Sequence, residues 1–94
     1  MIVWEQDALQ DRQTIYAFLY EHNPVAAEQA DQVLVQRIEN LETHPEMGVK
    51  REELPGRLLI IPEISLIAVY WLNGQTVHIL RVLHQKQEFP NSQN

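Results

Sequence analysis

The chain contains no cysteine, only three glycines, and seven lysines and arginines against thirteen acids in 94 residues. Each shortage excludes something. Without cysteine there can be no disulfide and no thiolate metal site, a composition that fits a reducing compartment. The glycines form no phosphate-cradling loop. No apolar run approaches the roughly 20 residues that a membrane span needs. A net charge of −6 argues against nucleic-acid binding driven by charge alone. The opening Met1-Ile2-Val3-Trp4-Glu5 has no basic region and no long apolar region, so no signal peptide is expected.

The charge is unevenly spread. Residues 1–49 hold nine acids and two bases, whereas residues 50–94 hold five bases and four acids. Any anion site is therefore expected in the second half. At this length, with 45% hydrophobic residues, one modest core and two layers of structure are expected. Residues 1–90 should form a single domain, with 91–94 as a loose tail.

Ile2-Val3-Trp4 reads as a short strand. From Ala8 the period changes: Ala8, Leu9, Arg12, Ile15, Tyr16 and Leu19 recur at the spacing of an amphipathic helix. His22-Asn23-Pro24 breaks it, and Asn23 as N-cap with Pro24 at the first helical position starts a second helix. Ala26, Ala27, Ala30, Leu34, Ile38 and Leu41 give that helix its apolar face. With so short a turn, the two helices must pack as an antiparallel hairpin. His44-Pro45 ends the second helix. Residues 47–56 read as an exposed loop. Leu58–Ile61, Leu66–Leu72 and Thr76–Leu83 read as three antiparallel strands, the last two joined at Asn73-Gly74. The fold class is α+β: an N-terminal strand and a two-helix hairpin on a small, mainly antiparallel sheet, with the first strand joining an edge.

The last strand ends in Arg81, His84, Gln85, Lys86 and Gln87, a dense set of donors on an acidic chain. RNA cleavage without a metal needs an acid, a base and cations for the phosphate. His84 could serve as acid or base, with Arg57, Arg81 and Lys86 holding phosphate. Equally, Arg81 and His84 could bond to neighbouring loops or carboxylates. Strand alternation puts His84 opposite Arg81 unless the strand ends or bulges between them. His22, His44, His78 and His84 share no ligand spacing, so neither a metal nor a cofactor is expected. His22 and His44 read as helix-end residues and His78 as a surface residue. Tyr70 alternates with Ala68 and Leu72 as a core residue. An exposed sheet edge and an apolar groove beside the helices would suit a partner protein.

The ordered set of residues resembles the RelE/ParE superfamily of toxins from type II toxin–antitoxin modules, in its ParE-like and StbE-like branch. The resemblance runs through Trp4 and Asp7-Ala8-Leu9-Gln10-Asp11, through Asn23-Pro24-Val25-Ala26-Ala27, and through His44-Pro45 with Met47-Gly48. It continues in Pro55-Gly56-Arg57, Ile61-Pro62, Val69-Tyr70, and Ile79–His84 with Gln87 and Pro90. It implies a cytoplasmic toxin silenced by a cognate antitoxin that covers its groove and edge, with Tyr70 and Trp71 among the contacts. It also implies a toxin–antitoxin hetero-oligomer that meets operator DNA only through the antitoxin, with no membrane partner. Superfamily members either cut mRNA on the ribosome or poison DNA gyrase. RelE-like nucleases generally carry a basic residue on the strand before the Val-Tyr pair, where this chain has Leu66-Ile67-Ala68. The resemblance therefore implies a gyrase poison contacting its target through Arg57, Arg81, His84, Gln85, Lys86 and Gln87. A ribosome-dependent mRNA endoribonuclease, with His84, Arg81 and Arg57 as its catalytic set, is the alternative.

Overall fold

The computed structural model describes residues 1–86; Gln87, Pro90 and the tail 91–94 lie outside the described residues. Strand β1 (Ile2–Trp4) leads into helix α1 (Gln6–His22) and helix α2 (Pro24–Glu39). The chain continues through a 3-10 turn at Asn40–Glu42 to strands β2 (Val49–Lys50), β3 (Arg57–Ile61), β4 (Leu66–Asn73) and β5 (Thr76–His84). The five strands form one sheet in the order β1-β5-β4-β3-β2. Strand β1 pairs parallel to β5 at one edge, and every other pairing is antiparallel.

Local chemistry sets the hairpin. The Asn23 side chain accepts the Ala26 N–H at 3.2 Å, and Pro24 occupies the first helical position of α2. The end of α1 is closed by the Asn23 N–H donating to Leu19 O at 2.8 Å. There the His22 ring Nδ1 lies 3.0 Å from Phe18 O, the helix-end role expected of it. Arg12, in the middle of the expected apolar stripe, earns its place by pairing. Its guanidinium forks onto both oxygens of Asp31 at 2.7 and 2.9 Å, tying α1 to α2, and lies 5.0 Å over the Trp4 ring. The Asp31 hydrogen bond, followed by its charge, raises the Arg12 pKa against the lowering effect of burial. Leu9, read as part of the same stripe, is exposed instead.

The core lies between the helices and one face of the sheet. Ala8, Leu34, Ile38 and Leu41 meet Leu59, Ile61, Leu66, Ala68, Tyr70, Val77, Ile79 and Val82. Across β4 and β5 the register passes from Tyr70↔Ile79 to Val69↔Arg81, which leaves Leu80 as the extra residue of a bulge. This bulge is why Val77 and Ile79 face the core at odd positions but Val82 does so at an even one. The tight turn of this hairpin is Gly74-Gln75, with Gly74 at φ +63 and Asn73 still paired with Thr76 in the strands. Two expectations need correcting. The loop at 47–56 contains the edge strand β2, whose two residues are too few to show a period. His78 is half-buried rather than a plain surface residue, because its ring packs on Trp71 and bonds to Glu5.

Candidate functional site

A polar clasp around Tyr70 shapes the β3–β4 end of the sheet. The Tyr70 hydroxyl donates to Pro45 O at 2.8 Å and accepts the Gly48 N–H at 2.9 Å. Arg57, directly opposite Tyr70 in the register, donates from one guanidinium nitrogen to Glu46 O at 3.2 Å and Gly48 O at 3.0 Å. Both glycines are required by contact. A Cβ on Gly48 would stand 2.5 Å from the Tyr70 hydroxyl, and one on Gly56 would stand 2.2 Å from Tyr70 O. Burial raises the Tyr70 pKa, while the Gly48 N–H and the Arg57 charge pull the other way. Pro45, Gly48, Gly56, Arg57 and Tyr70 are scattered in sequence but form one device that fixes the loop after α2 against the sheet.

The Tyr70 side chain is buried, whereas its neighbour Trp71 is 45% exposed. Trp71 stacks on His78 with ring centroids 5.2 Å apart, and His78 Nδ1 lies 2.7 Å from a Glu5 carboxylate oxygen.

At the other end, Arg81 is already engaged. Its Nε and a terminal nitrogen donate to the two carboxylate oxygens of Asp11 at 2.7 and 3.1 Å. The same carboxylate accepts the Val82 N–H at 2.9 Å. Strand β1 covers β5 only from Val77 to Ile79, so Asp11 caps a strand N–H just beyond the reach of β1. The Asp11 hydrogen bond is the main cause of a raised Arg81 pKa. In the sequence Asp11 stands out only as part of the Asp7–Asp11 run, with no role assigned to it. The available signal was an acid three residues after Ala8 and four before Ile15, on the buried side of α1.

Arg57, Arg81 and His84 are not brought together. Arg57 is level with Tyr70, and His84 with Leu66, four residues away along β4, or about 13 Å. Arg81 is level with Val69, on the opposite face from both. The three residues are therefore spread along the sheet and over both its faces. His84, Gln85 and Lys86 do lie close together, exposed at the end of β5. His84 Nδ1 accepts the Lys86 N–H at 3.1 Å, and the Gln85 N–H donates to Ser65 O at 2.8 Å. Among the described residues no group of three or more His, Cys, Asp or Glu is placed to hold a metal ion. No helix among them is long and apolar enough to cross a membrane.

The second face of the sheet, away from the helices, is mostly apolar, with Arg81 and His78 as its polar members on β5. Alternation and register put Leu58, Ile60, Ile67, Val69, Trp71 and Leu83 on it. Leu58 and Ile67 are buried there, whereas Ile60 is 42% exposed.

Comparison with known proteins agrees with this architecture. A search of curated proteins finds no match. Among solved structures, the chain is similar to one described as the chromosomal ParDE TA system from P. aeruginosa. That match has a TM-score of 0.77 and 27% identity, and covers 88% of this chain and 92% of the other. Residues 2–89 match the family described as the ParE toxin of type II toxin–antitoxin system, parDE. The clasp at Tyr70, the two-helix hairpin and the five-stranded sheet are thus features of a protein that belongs to the ParE toxin family of type II toxin–antitoxin systems.

Proposed function

We propose that this toxin inhibits growth by poisoning DNA gyrase and is held silent by a cognate antitoxin in a hetero-oligomer. The apolar second face of the sheet carries the reading. Where RelE-like nucleases place cations before the Val-Tyr pair, this chain has Ile67 facing Ile60 on one side and Leu83 on the other. Arg81, the cation on that face, is already forked by Asp11, so the surface offers little to a phosphate backbone. The separation of Arg57, Arg81 and His84 supports the same choice. Arg81 and the exposed residues 84–86 are then target contacts rather than catalysts, and Gln87 extends them in sequence.

The antitoxin covers apolar surface in two places. One is the sheet face around Trp71. The other is a groove of about 390 Å³ beside the helices, lined by Leu19, Ala26, Ala30, Val33 and Ile64 among others. The structural relative is described as a ParDE system, which supports assignment of an antitoxin here. Operator DNA is met through that antitoxin, in keeping with the chain's acidic charge.

Ribosome-dependent mRNA cleavage is the second reading, resting on an exposed histidine, His84, beside Lys86. The two are separated in cells expressing the toxin without its antitoxin. Gyrase poisoning gives broken chromosomal DNA and intact mRNA, and mRNA fragments with intact DNA would establish the alternative.

A further inference from the structure

Arg12, Arg37 and Arg81 are each paired with a carboxylate, whereas Lys50, Arg51, Arg57 and Lys86 form no salt bridge among the described residues. Of these, Lys50 and Arg57 are direct cross-strand neighbours, Lys50 on β2 opposite Arg57 on β3. Like charges at such positions repel. Both line an open cleft of about 230 Å³, completed by Pro55, Gly56, Tyr70, Trp71 and Leu72, with no acid in its wall. Arg57 spends one terminal nitrogen on the carbonyls of residues 46 and 48. Its Nε and other terminal nitrogen take no partner among the described residues. On a chain of net charge −6, this cleft brings two cations together with no acid in its wall.

We propose that this cleft is a carboxylate-binding subsite that anchors an acidic, extended polypeptide segment along β2. Strand β2 is outermost in the sheet and is paired on one side only among the described strands. A segment laid against it would set one side chain beside Lys50, in the row Lys50–Arg57–Tyr70. A carboxylate there turns a repulsive pair into an alternating one. The side chain next along the segment would point to the other face, where Val49, Ile60 and Trp71 are 51%, 42% and 45% exposed. The occupant is therefore a strand alternating acidic and apolar residues. A nucleic acid fits less well, because a phosphate backbone has no apolar side chain to set against Val49, Ile60 and Trp71. The proposal does not depend on whether gyrase or the ribosome is the target.

The test titrates the full chain with a capped octapeptide alternating Glu and Val, and follows tryptophan emission and heat of binding. In parallel arms the probe is the peptide with Gln for Glu, inorganic phosphate, or octathymidylate. The Glu peptide should bind, with an affinity that falls as salt rises. The Gln peptide and the Lys50→Glu variant should each weaken binding about tenfold, and Lys50→Arg should restore it. Lys50→Glu should melt no lower than the parent, since it removes a repulsion, so its loss of binding would not be a folding defect. Equal binding of the Gln peptide, no binding of the Glu peptide at about 1 mM, or indifference to Lys50→Glu would overturn the proposal. Tighter binding of octathymidylate than of the Glu peptide would also overturn it and give the cleft to nucleic acid.

Discussion

Asp11 holds Arg81 from across the helix–sheet boundary, with both carboxylate oxygens in the fork and one of them also on the Val82 N–H. The residue that the sequence offers as a free phosphate grip is thus also the point where α1 is fastened to β5. Replacing Asp11 with Ala removes three hydrogen bonds and leaves a strand N–H without its partner. Because Arg81 is 47% exposed, water repays part of the loss. Urea denaturation should show a cost of about 1–2 kcal/mol, and hydrogen exchange at the Val82 amide should quicken. An unchanged Val82 exchange rate would mean that Asp11 does not cap the strand.

Arg81 and His84 are expected to carry toxicity together with Gln85 and Lys86. The double substitution Arg81→Ala with His84→Ala should still fold, since neither side chain is in the core, although loss of the Asp11 fork lowers its melting temperature. Growth inhibition by that variant should disappear. Full toxicity from a variant that still melts cooperatively would remove this strand end from the target contact.

The Tyr70 clasp predicts a stability effect at one buried atom. Tyr70→Phe keeps the ring but strands the Gly48 N–H and the Pro45 carbonyl, at a cost of about 1–3 kcal/mol. Gly48→Ala should also destabilise, because its Cβ would fall 2.5 Å from the hydroxyl that Tyr70 must keep in place. If Tyr70→Phe unfolds at the parental urea concentration, the clasp contributes nothing to the fold.

Tyr16 donates its hydroxyl to Glu28, and this raises its pKa from the ordinary 10 to about 12. The fold therefore favours the neutral phenol. That contribution is complete below pH 10 and is lost as the pH climbs toward about 12. An alkaline absorbance titration should show a late-titrating tyrosine that moves back toward 10 in Glu28→Gln. A titration curve identical in the two proteins would contradict the pairing.

Trp71 is the exposed aromatic on the apolar sheet face, and an antitoxin that covers this face should bury it. Trp71→Asp should fold, lose antitoxin affinity by about tenfold or more, and remain toxic in cells that make the antitoxin. Parental affinity would exclude this face from the antitoxin interface.

The elements were legible in the sequence where local chemistry decides them. Asn23-Pro24 marks the helix junction, the helical spacing of Ala27, Leu34 and Ile38 marks the buried face of α2, and Asn73-Gly74 marks the hairpin. Alternation put Tyr70 in the core. The misses are all matters of register and tertiary contact. Two residues of β2 carry no period, and the bulge at Leu80 follows from strand pairing rather than from composition. Exposure of Leu9 depends on where α1 lies on the sheet. The candidate site was legible only as a list of donors. That Arg81 is forked by a residue 70 positions earlier, and that Arg57 and Arg81 point to opposite faces, are facts of the folded sheet.

The most direct test of gyrase poisoning incubates purified toxin with gyrase and plasmid DNA, beside primer extension on ribosome–mRNA complexes given the same toxin. Trapped, cleaved DNA or lost supercoiling with intact mRNA is the predicted result, and it should vanish with the Arg81→Ala, His84→Ala variant. Cuts in ribosome-bound mRNA with gyrase unaffected would contradict it and make His84 the leading catalytic residue.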